Sequence, residues 1–151
     1  MPAAKRILCI DVGGSGLKAA IFSPKGKCLV KRVRVKTPKD RKPRKIVAAL
    51  TELVAPLGRF DHVTIGFPGV IKNGKVITAP NLGTKDWKDF SLAATMQKKL
   101  QAPVKLLNDA DVQGLAAIRG RGLELVCTLG TGLGTAWFRD GELMPHMDLA
   151  H

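Results

Sequence analysis

Three glycines closely follow an aspartate near the start of the chain, in residues 11–16 with the sequence DVGGSG. Glycine has no Cβ, so backbone N–H groups in such a turn can approach an anion closely. Asp11 could reach a hydrated Mg²⁺, and Ser15 could donate a hydrogen bond to a phosphate oxygen. A plain hairpin turn is the alternative, because the segment is neither a Walker loop nor a G-x-G-x-x-G that opens a helix.

A second glycine turn occupies residues 130–134, with the sequence GTGLG, between two apolar runs. The pattern of strand, glycine turn and strand therefore occurs at residues 7–22 and again at 124–139. Two such turns predict two lobes that each offer one turn to a shared ligand, although a bare hairpin is again the alternative. The chain ends soon after the second turn, so we expect the second lobe to be truncated.

A carboxylate at position 109 follows an apolar strand-like run and opens a predicted helix. In open α/β sheets such a position faces a cleft. Asp109 could accept the proton of a sugar hydroxyl that attacks phosphorus, and Asn108 offers both a donor and an acceptor to neighbouring hydroxyls. A helix N-cap is the alternative, since Asn and Asp cap helices well. The spacing alone leaves both interpretations open.

Positive charge is concentrated in one segment of a chain whose formal net charge is +13. Residues 25–45 contain eleven Lys or Arg and a single acid, Asp40. Such a field attracts nucleic acid, acidic membrane or chains of phosphate, unless it is only a solvated surface. No aromatic residue lies between Pro24 and Arg59, and common nucleic-acid modules use stacking aromatics or a recognition helix. We therefore expect no specific nucleic-acid partner.

Other residue classes give mainly negative expectations. The three cysteines are widely spaced, and Cys9 and Cys127 lie in apolar runs, so we expect buried thiols without metal or redox chemistry. The histidines lack zinc-site spacing.

No apolar run approaches the roughly 20 residues that span a bilayer, and the first residues lack a signal-peptide layout. These patterns predict a cytoplasmic protein without a membrane partner.

Apolar periodicity predicts strands first as a meander and then alternating with helices. The predicted strands cover residues 7–11, 17–22, 28–35, 63–66, 104–107, 124–129 and 135–139, with a hairpin at 70–79 that turns at Asn73-Gly74. Predicted helices cover residues 44–57, 109–118 and a segment ending at Leu100 that Ser91 or Asp89 would cap. This order is typical of a mixed α/β layer.

Four segments together carry a resemblance to a known family. They are CIDVGGSGLKAAIF (9–22), TIGFPGVIKNGKVITAPNL (64–82), LLNDADVQGLA (106–116) and CTLGTGLGTAWFRDGELMPHMDLAH (127–151). In this order they resemble the ROK family of sugar kinases and regulators, and most closely its polyphosphate glucokinase branch. The resemblance implies an actin-like, ribonuclease H-like mixed sheet with flanking helices. It also implies an N-terminal lobe at 1–112 and the first hairpin of a truncated C-terminal lobe at 113–151.

The resemblance also implies roles for individual residues. The two phosphate loops would comprise Asp11, Gly13, Gly14, Ser15, Lys18, Gly130, Thr131, Gly132 and Gly134, with Asp11 holding Mg²⁺ through water. The sugar site would comprise Asn81, Asn108, Asp109, Asp148 and His151, with Asp109 as general base for the 6-hydroxyl. Asp148 replaces a family Glu and Ala150 a family Gly, so the carboxylate at 148 is one methylene shorter than usual.

The implied reaction is phosphoryl transfer from polyphosphate or ATP to the 6-hydroxyl of glucose, with Mg²⁺ and without zinc. We also expect a homodimer, since an unfinished sheet exposes edges that can pair with another copy, and the basic stretch could hold the length of a polyphosphate chain. An isolated, non-catalytic N-terminal domain that binds only sugar or polyphosphate is the alternative.

Overall fold

The computed structural model describes residues 5–129 and 133–145. The chain divides into two compact units, residues 1–107 and residues 108–151. The assignment of residues 1–112 and 113–151 to the two lobes of a sugar kinase stays a prediction.

The first unit is built on a five-stranded mixed sheet. The strands of this region are β1 (Ile7–Val12), β2 (Gly16–Phe22), β3 (Cys28–Lys36), β4 (His62–Phe67), β5 (Ile71–Lys72), β6 (Lys75–Val76) and β7 (Val104–Asn108). The sheet order is β3-β2-β1-β4-β7, while β5 and β6 form a separate small hairpin. β1, β2 and β3 form the predicted antiparallel meander, and β4 runs parallel to β1.

The helices of the first unit are α1 (Pro43–Val54), α2 (Thr84–Trp87) and α3 (Leu92–Leu100). α1 begins one residue before the predicted start because Pro43 occupies a first-turn position, where its missing N–H is not needed. It ends at Val54 and tightens into a 3₁₀ turn (Ala55–Leu57). Pro56 cannot donate to the α-helical ladder, and Gly58, with φ of 77°, completes the stop.

The core of this unit lies between the inner face of the sheet and the helices. Alternate residues of β1 are buried, as a strand with one covered face requires. The side chain of Trp87 is fully buried, and its ring centroid lies 4.9 Å from that of Phe67 and 5.7 Å from that of Phe90. The short helix α2, which sequence periodicity did not predict, places Trp87 in this aromatic cluster.

α3 starts where the sequence predicted, with Ser91 at the N-cap position. The Ser91 side chain nevertheless makes no capping hydrogen bond. Its backbone carbonyl accepts from Thr95 instead, through both the N–H (3.0 Å) and the hydroxyl (2.8 Å). The predicted position of the cap is confirmed, whereas the capping side-chain bond is not formed.

The second unit contains α4 (Asp109–Ala117) and the strands β8 (Leu123–Leu129), β9 (Leu133–Arg139) and β10 (Glu142–Leu143), in the order β10-β9-β8. α4 packs on β9 at Gly114, where an added Cβ would lie 2.6 Å from the ring of Phe138. The burial predicted for Cys127 is wrong, because it lies on the exposed face of β8 with Leu125 and Leu129.

Cys28 is also exposed, whereas Cys9 is partly buried. Burial raises the pKa of the Cys9 thiol, which keeps it protonated and unreactive at neutral pH. Across the described ranges 5–129 and 133–145, no helix is both long and apolar enough to cross a membrane.

Candidate active site

The first glycine turn is a tight connection between β1 and β2. The Gly13 N–H donates to the Gly16 carbonyl oxygen at 3.0 Å. A Cβ added to Gly13 would lie 2.9 Å from that same oxygen, so the turn has no room for a side chain there. The φ angles of Gly13 and Gly14 are not positive. Space, and not a left-handed backbone, therefore requires glycine at position 13.

Asp11 and Lys18 face each other at the start of this turn. They are directly paired across β1 and β2, and the Lys18 Nζ lies 2.7 Å from the Asp11 Oδ2. The side chain of Asp11 is 49% exposed and that of Lys18 is 36% exposed. The two groups that the family resemblance assigns to metal and phosphate therefore meet, and both remain accessible to a ligand.

Two further cations lie beside the turn on the edge strand β3. Arg34 is paired with Lys18, and Lys36 is paired with Gly16. A Cβ added to Gly16 would lie 2.9 Å from Nε of Arg34, so this guanidinium covers the turn. Within the described part of the chain, none of the Lys and Arg side chains of residues 25–45 forms an ion pair. This surface can therefore attract an external anion.

Asn81 lies next to the first glycine turn. A Cβ added to Gly14 would lie 3.5 Å from the Asn81 Cβ, which is an ordinary van der Waals contact. Asn81 is exposed, and its carbonyl accepts from the Arg41 Nη1 at 2.8 Å. The structure thus brings together a predicted phosphate-binding turn and a predicted sugar-binding residue. Arg34 and Arg41 were missed as individual residues because these contacts join positions far apart in the sequence.

Asn108 is the N-cap of α4, so the alternative interpretation of this residue is confirmed as a structural role. Its Oδ1 accepts from the N–H of Ala110 at 2.8 Å and of Asp111 at 3.4 Å. Asp109 is the first residue of α4 and is partly exposed, and its Oδ1 accepts from the N–H of Ala110 at 2.9 Å. The sugar-binding roles of both residues stay predictions.

Asp111 is a buried carboxylate to which the sequence patterns gave no role, with 5% of its surface exposed. It lies in the first turn of α4, where a negative charge interacts favourably with the helix dipole. Throughout residues 5–129 and 133–145, no three His, Cys, Asp or Glu side chains group as metal ligands.

The second glycine turn is described only in part. Gly130, Thr131, Gly132, Asp148 and His151 lie outside the described residues. Gly134 belongs to β9, and a Cβ there would lie 2.5 Å from Oγ1 of Thr128 and 2.8 Å from Cβ of Ala110. Close packing thus requires glycine at position 134, while its contact with phosphate stays a prediction.

A groove of about 510 Å³ lies elsewhere in the first unit, between α1 and α3. Its lining includes Val47, Thr51, Phe90 and Lys99. None of the residues predicted to bind phosphate or sugar lines it, so its size does not make it the candidate site.

Comparison with known proteins shows to which family the chain belongs. The sequence profile of the ROK family matches residues 7–146. The chain belongs to the ROK family. Among curated relatives, a polyphosphate glucokinase of Mycobacterium tuberculosis is 34% identical over 150 residues, which cover 94% of this chain and 56% of that protein. The chain therefore spans little more than half the length of that relative.

Solved structures of ROK sugar kinases share this fold. The inorganic polyphosphate/ATP-glucomannokinase from Arthrobacter sp. strain KM matches with a TM-score of 0.86 and 36% identity, covering 96% of this chain and 62% of that one. A ROK family glucokinase from Streptomyces griseus, in complex with glucose and AMPPNP, matches with a TM-score of 0.81 and 26% identity, covering 94% and 47%. The predicted family and the actin-like mixed α/β fold are confirmed.

Proposed function

We propose that this chain supplies the donor and sugar sites of a kinase that transfers a phosphoryl group from polyphosphate or ATP to the 6-hydroxyl of glucose. One observation carries the proposal: the Gly13–Gly16 turn, with the Asp11–Lys18 pair at its base, lies beside Asn81, where a Cβ added to Gly14 would be 3.5 Å from the Asn81 Cβ. Phosphoryl transfer to a sugar needs a phosphate-binding turn next to a side chain that binds the sugar, because such catalysis depends mainly on positioning and charge neutralisation.

The choice of donor is supported by charge and by the named relatives. Polyphosphate is a long polyanion, and Lys18, Arg34 and Lys36 lie on neighbouring positions beside the turn. Two of the relatives carry polyphosphate in their names, and a third was solved with AMPPNP, an ATP analogue. We therefore propose that the turn holds the reacting phosphate and that β3 holds the following phosphates.

Asp11 fits the binding of Mg²⁺ through water. Mg²⁺ keeps several waters and uses one or two carboxylates together with substrate phosphates. Asp11 supplies one accessible carboxylate next to the turn. When bound, the ion would neutralise charge on the transferred phosphoryl group. Lys18 would hold the Asp11 carboxylate and share the neutralisation.

The sugar would be bound by Asn81, Asn108 and Asp109, together with Asp148 and His151. Asp109 would accept the proton of the 6-hydroxyl as its oxygen attacks phosphorus. The N–H of Ala110 donates to Oδ1 of Asp109 at 2.9 Å, which holds this oxygen at the start of α4.

A second candidate function follows from the length of the chain relative to its relatives. Because the match covers only 56% of the mycobacterial protein, this chain could bind glucose and polyphosphate without catalysing transfer. It would then be a binding domain, in which the Gly13–Gly16 turn binds phosphate and Asn81 binds glucose without any phosphoryl transfer.

A coupled assay for glucose 6-phosphate, run with polyphosphate and with ATP, separates the two functions. Turnover by the 151-residue chain supports the kinase. Glucose and tripolyphosphate binding by calorimetry without turnover supports the binding domain, and absence of both bindings refutes the two functions together. Sedimentation equilibrium of the same sample tests the expected homodimer.

A further inference from the structure

The segment that joins β3 to α1 contacts the first glycine turn and also the turn that carries Asn81. This segment, residues 37–41 with the sequence TPKDR, is named the strap. At its first residue, the Thr37 hydroxyl donates to the Gly13 carbonyl at 2.6 Å, and the Thr37 N–H donates to the Ser15 carbonyl at 3.3 Å. The strap therefore holds the first glycine turn from the side of β3.

The last residue of the strap holds the turn that carries Asn81. The Arg41 Nη1 donates to the Asn81 carbonyl at 2.8 Å. The Arg41 carbonyl in turn accepts from Nε1 of Trp87 at 2.9 Å, and Trp87 is fully buried. The backbone of Arg41 is thus anchored on the core while its exposed side chain reaches the Asn81 turn. A hydrogen bond from a guanidinium is stronger than one between neutral groups.

These contacts link the first glycine turn to the turn that carries Asn81. Gly14 lies beside Asn81, since a Cβ added to Gly14 would be 3.5 Å from the Asn81 Cβ. The Arg41 side chain donates to the Asn81 carbonyl, and Thr37 donates to the carbonyls of Gly13 and Ser15. Because packed groups transmit displacement, movement of the glycine turn requires Asn81 or the strap to adjust. An anion that orders the turn would likewise reduce the freedom left to Asn81, so a sugar arriving afterwards loses less conformational entropy on binding.

We propose that Arg41 is a positioning residue that couples phosphate binding at the Gly13–Gly16 turn to the placement of Asn81. Arg41 fixes the backbone of Asn81 and thereby the point from which the Asn81 amide meets the sugar. Thr37 completes the coupling by linking the strap to the glycine turn. This inference rests on the proposed function, since it requires an anion at the turn and a sugar at Asn81.

Nuclear magnetic resonance of the ¹⁵N-labelled chain tests the coupling without requiring turnover. Tripolyphosphate is titrated while two sets of amide signals are followed. The first set, Gly13, Gly14 and Gly16, reports the first glycine turn, and the second set, Asn81 and Gly83, reports the turn that carries Asn81. We expect both sets to shift in the wild type. In Arg41→Gln the first set still shifts, with affinity within about threefold, while the second set responds clearly less than in the wild type. Arg41→Lys, which keeps a charged donor, restores part of the response.

Glucose affinity gives a second readout. Removing one hydrogen bond of this kind corresponds to roughly a 3- to 10-fold loss, so glucose binding in the presence of tripolyphosphate should weaken by about that factor in Arg41→Gln. Lys39→Gln is the matched control, because it removes a positive charge from the same strap at an exposed position. Its Asn81 signals and its glucose affinity should match the wild type.

The outcomes distinguish this inference from the proposed function. If the Asn81 signals of Arg41→Gln follow tripolyphosphate as in the wild type, the coupling role of Arg41 is refuted while the phosphate site stands. If Lys39→Gln loses the response equally, general charge and not Arg41 is responsible, and the inference is again refuted. If the glycine-turn signals of the wild type do not respond to tripolyphosphate, the proposed donor site and the inference both fail.

Discussion

The ammonium of Lys18 lies 2.7 Å from the carboxylate of Asp11, across the two strands that the first glycine turn connects. The pair is partly exposed, so it contributes little to stability. In the proposed site it places one cation and one anion where a phosphate and its metal would meet. The first prediction follows from this arrangement.

Replacing Lys18 by Met should weaken the donor site and leave the fold intact. The variant loses the cation nearest to Asp11, so we expect the KM for the phosphate donor to rise about tenfold or more while the KM for glucose changes little. Lys18→Arg keeps the charge, so its KM for the phosphate donor should lie between those of the wild type and Lys18→Met. Lys27→Met, at the far end of the β2–β3 hairpin, is the control. Equal KM values for Lys18→Met and the wild type would contradict the donor role.

Alanine at two neighbouring glycines should separate folding from anion binding. At Gly13 the new Cβ would lie 2.9 Å from the Gly16 carbonyl, so we expect a loss of about 1–3 kcal/mol in the free energy of unfolding. At Gly14 the Cβ makes only an ordinary contact with Asn81, so stability should be retained while tripolyphosphate binding weakens. Urea unfolding and calorimetry measure the two effects. Undiminished tripolyphosphate binding by Gly14→Ala would argue against close approach of an anion there.

The basic face of β3 should be specific for long phosphate chains. Arg34→Gln with Lys36→Gln removes two cations beside the turn, so we expect the KM for long-chain polyphosphate to rise several-fold while the KM for ATP changes less. The dependence of polyphosphate affinity on salt should also become shallower, since fewer charges are neutralised on binding. The double variant Lys25→Gln, Lys27→Gln is the charge-matched control. An equal effect in both double variants would indicate a general field without a defined path.

The carboxylate at position 109 should be needed for chemistry and not for folding. Asn at this position can still accept the hydrogen bond from the Ala110 N–H, so Asp109→Asn should melt within a few degrees of the parent. General-base catalysis contributes about 100-fold or more, and turnover should fall by that amount. The assay is best made both on this chain and on a full-length relative. Turnover near the parent level would refute the assignment.

The turn before β8 should depend on the ionised form of Glu124. Hydrogen bonds from the N–H of Arg119, and then of Gly120 and Arg121, lower the pKa of the Glu124 carboxyl below its ordinary value. A lowered folded-state pKa stabilises the fold above the unfolded-state pKa, and this contribution disappears as pH falls through the folded-state value. Glu124→Gln should therefore melt below the wild type at pH 7, and the difference should shrink below about pH 4. A difference independent of pH would contradict the role of ionisation.

Local signals predicted most elements correctly. The hairpin turns at residues 13–16 and 23–27 follow from glycine and proline chemistry, and the start of α4 follows from Asn108. Errors arose where burial depends on distant partners. Cys127 lies in an apolar run but on an exposed strand face, because the residues that cover a face come from other segments of the chain. α2 is only one turn long and has no periodicity to detect.

The sequence by itself determined the family, the strand–helix order and the first glycine turn, because these depend on residue type and on spacing over a few positions. Tertiary structure alone decided that Arg34 covers Gly16, that Gly14 lies beside Asn81 and that Arg41 binds the Asn81 carbonyl. Arg41 and Asn81 are 40 residues apart in the chain. Only the packing of β1, β2 and the aromatic cluster around Trp87 brings such positions within hydrogen-bonding distance, and no local pattern records that distance.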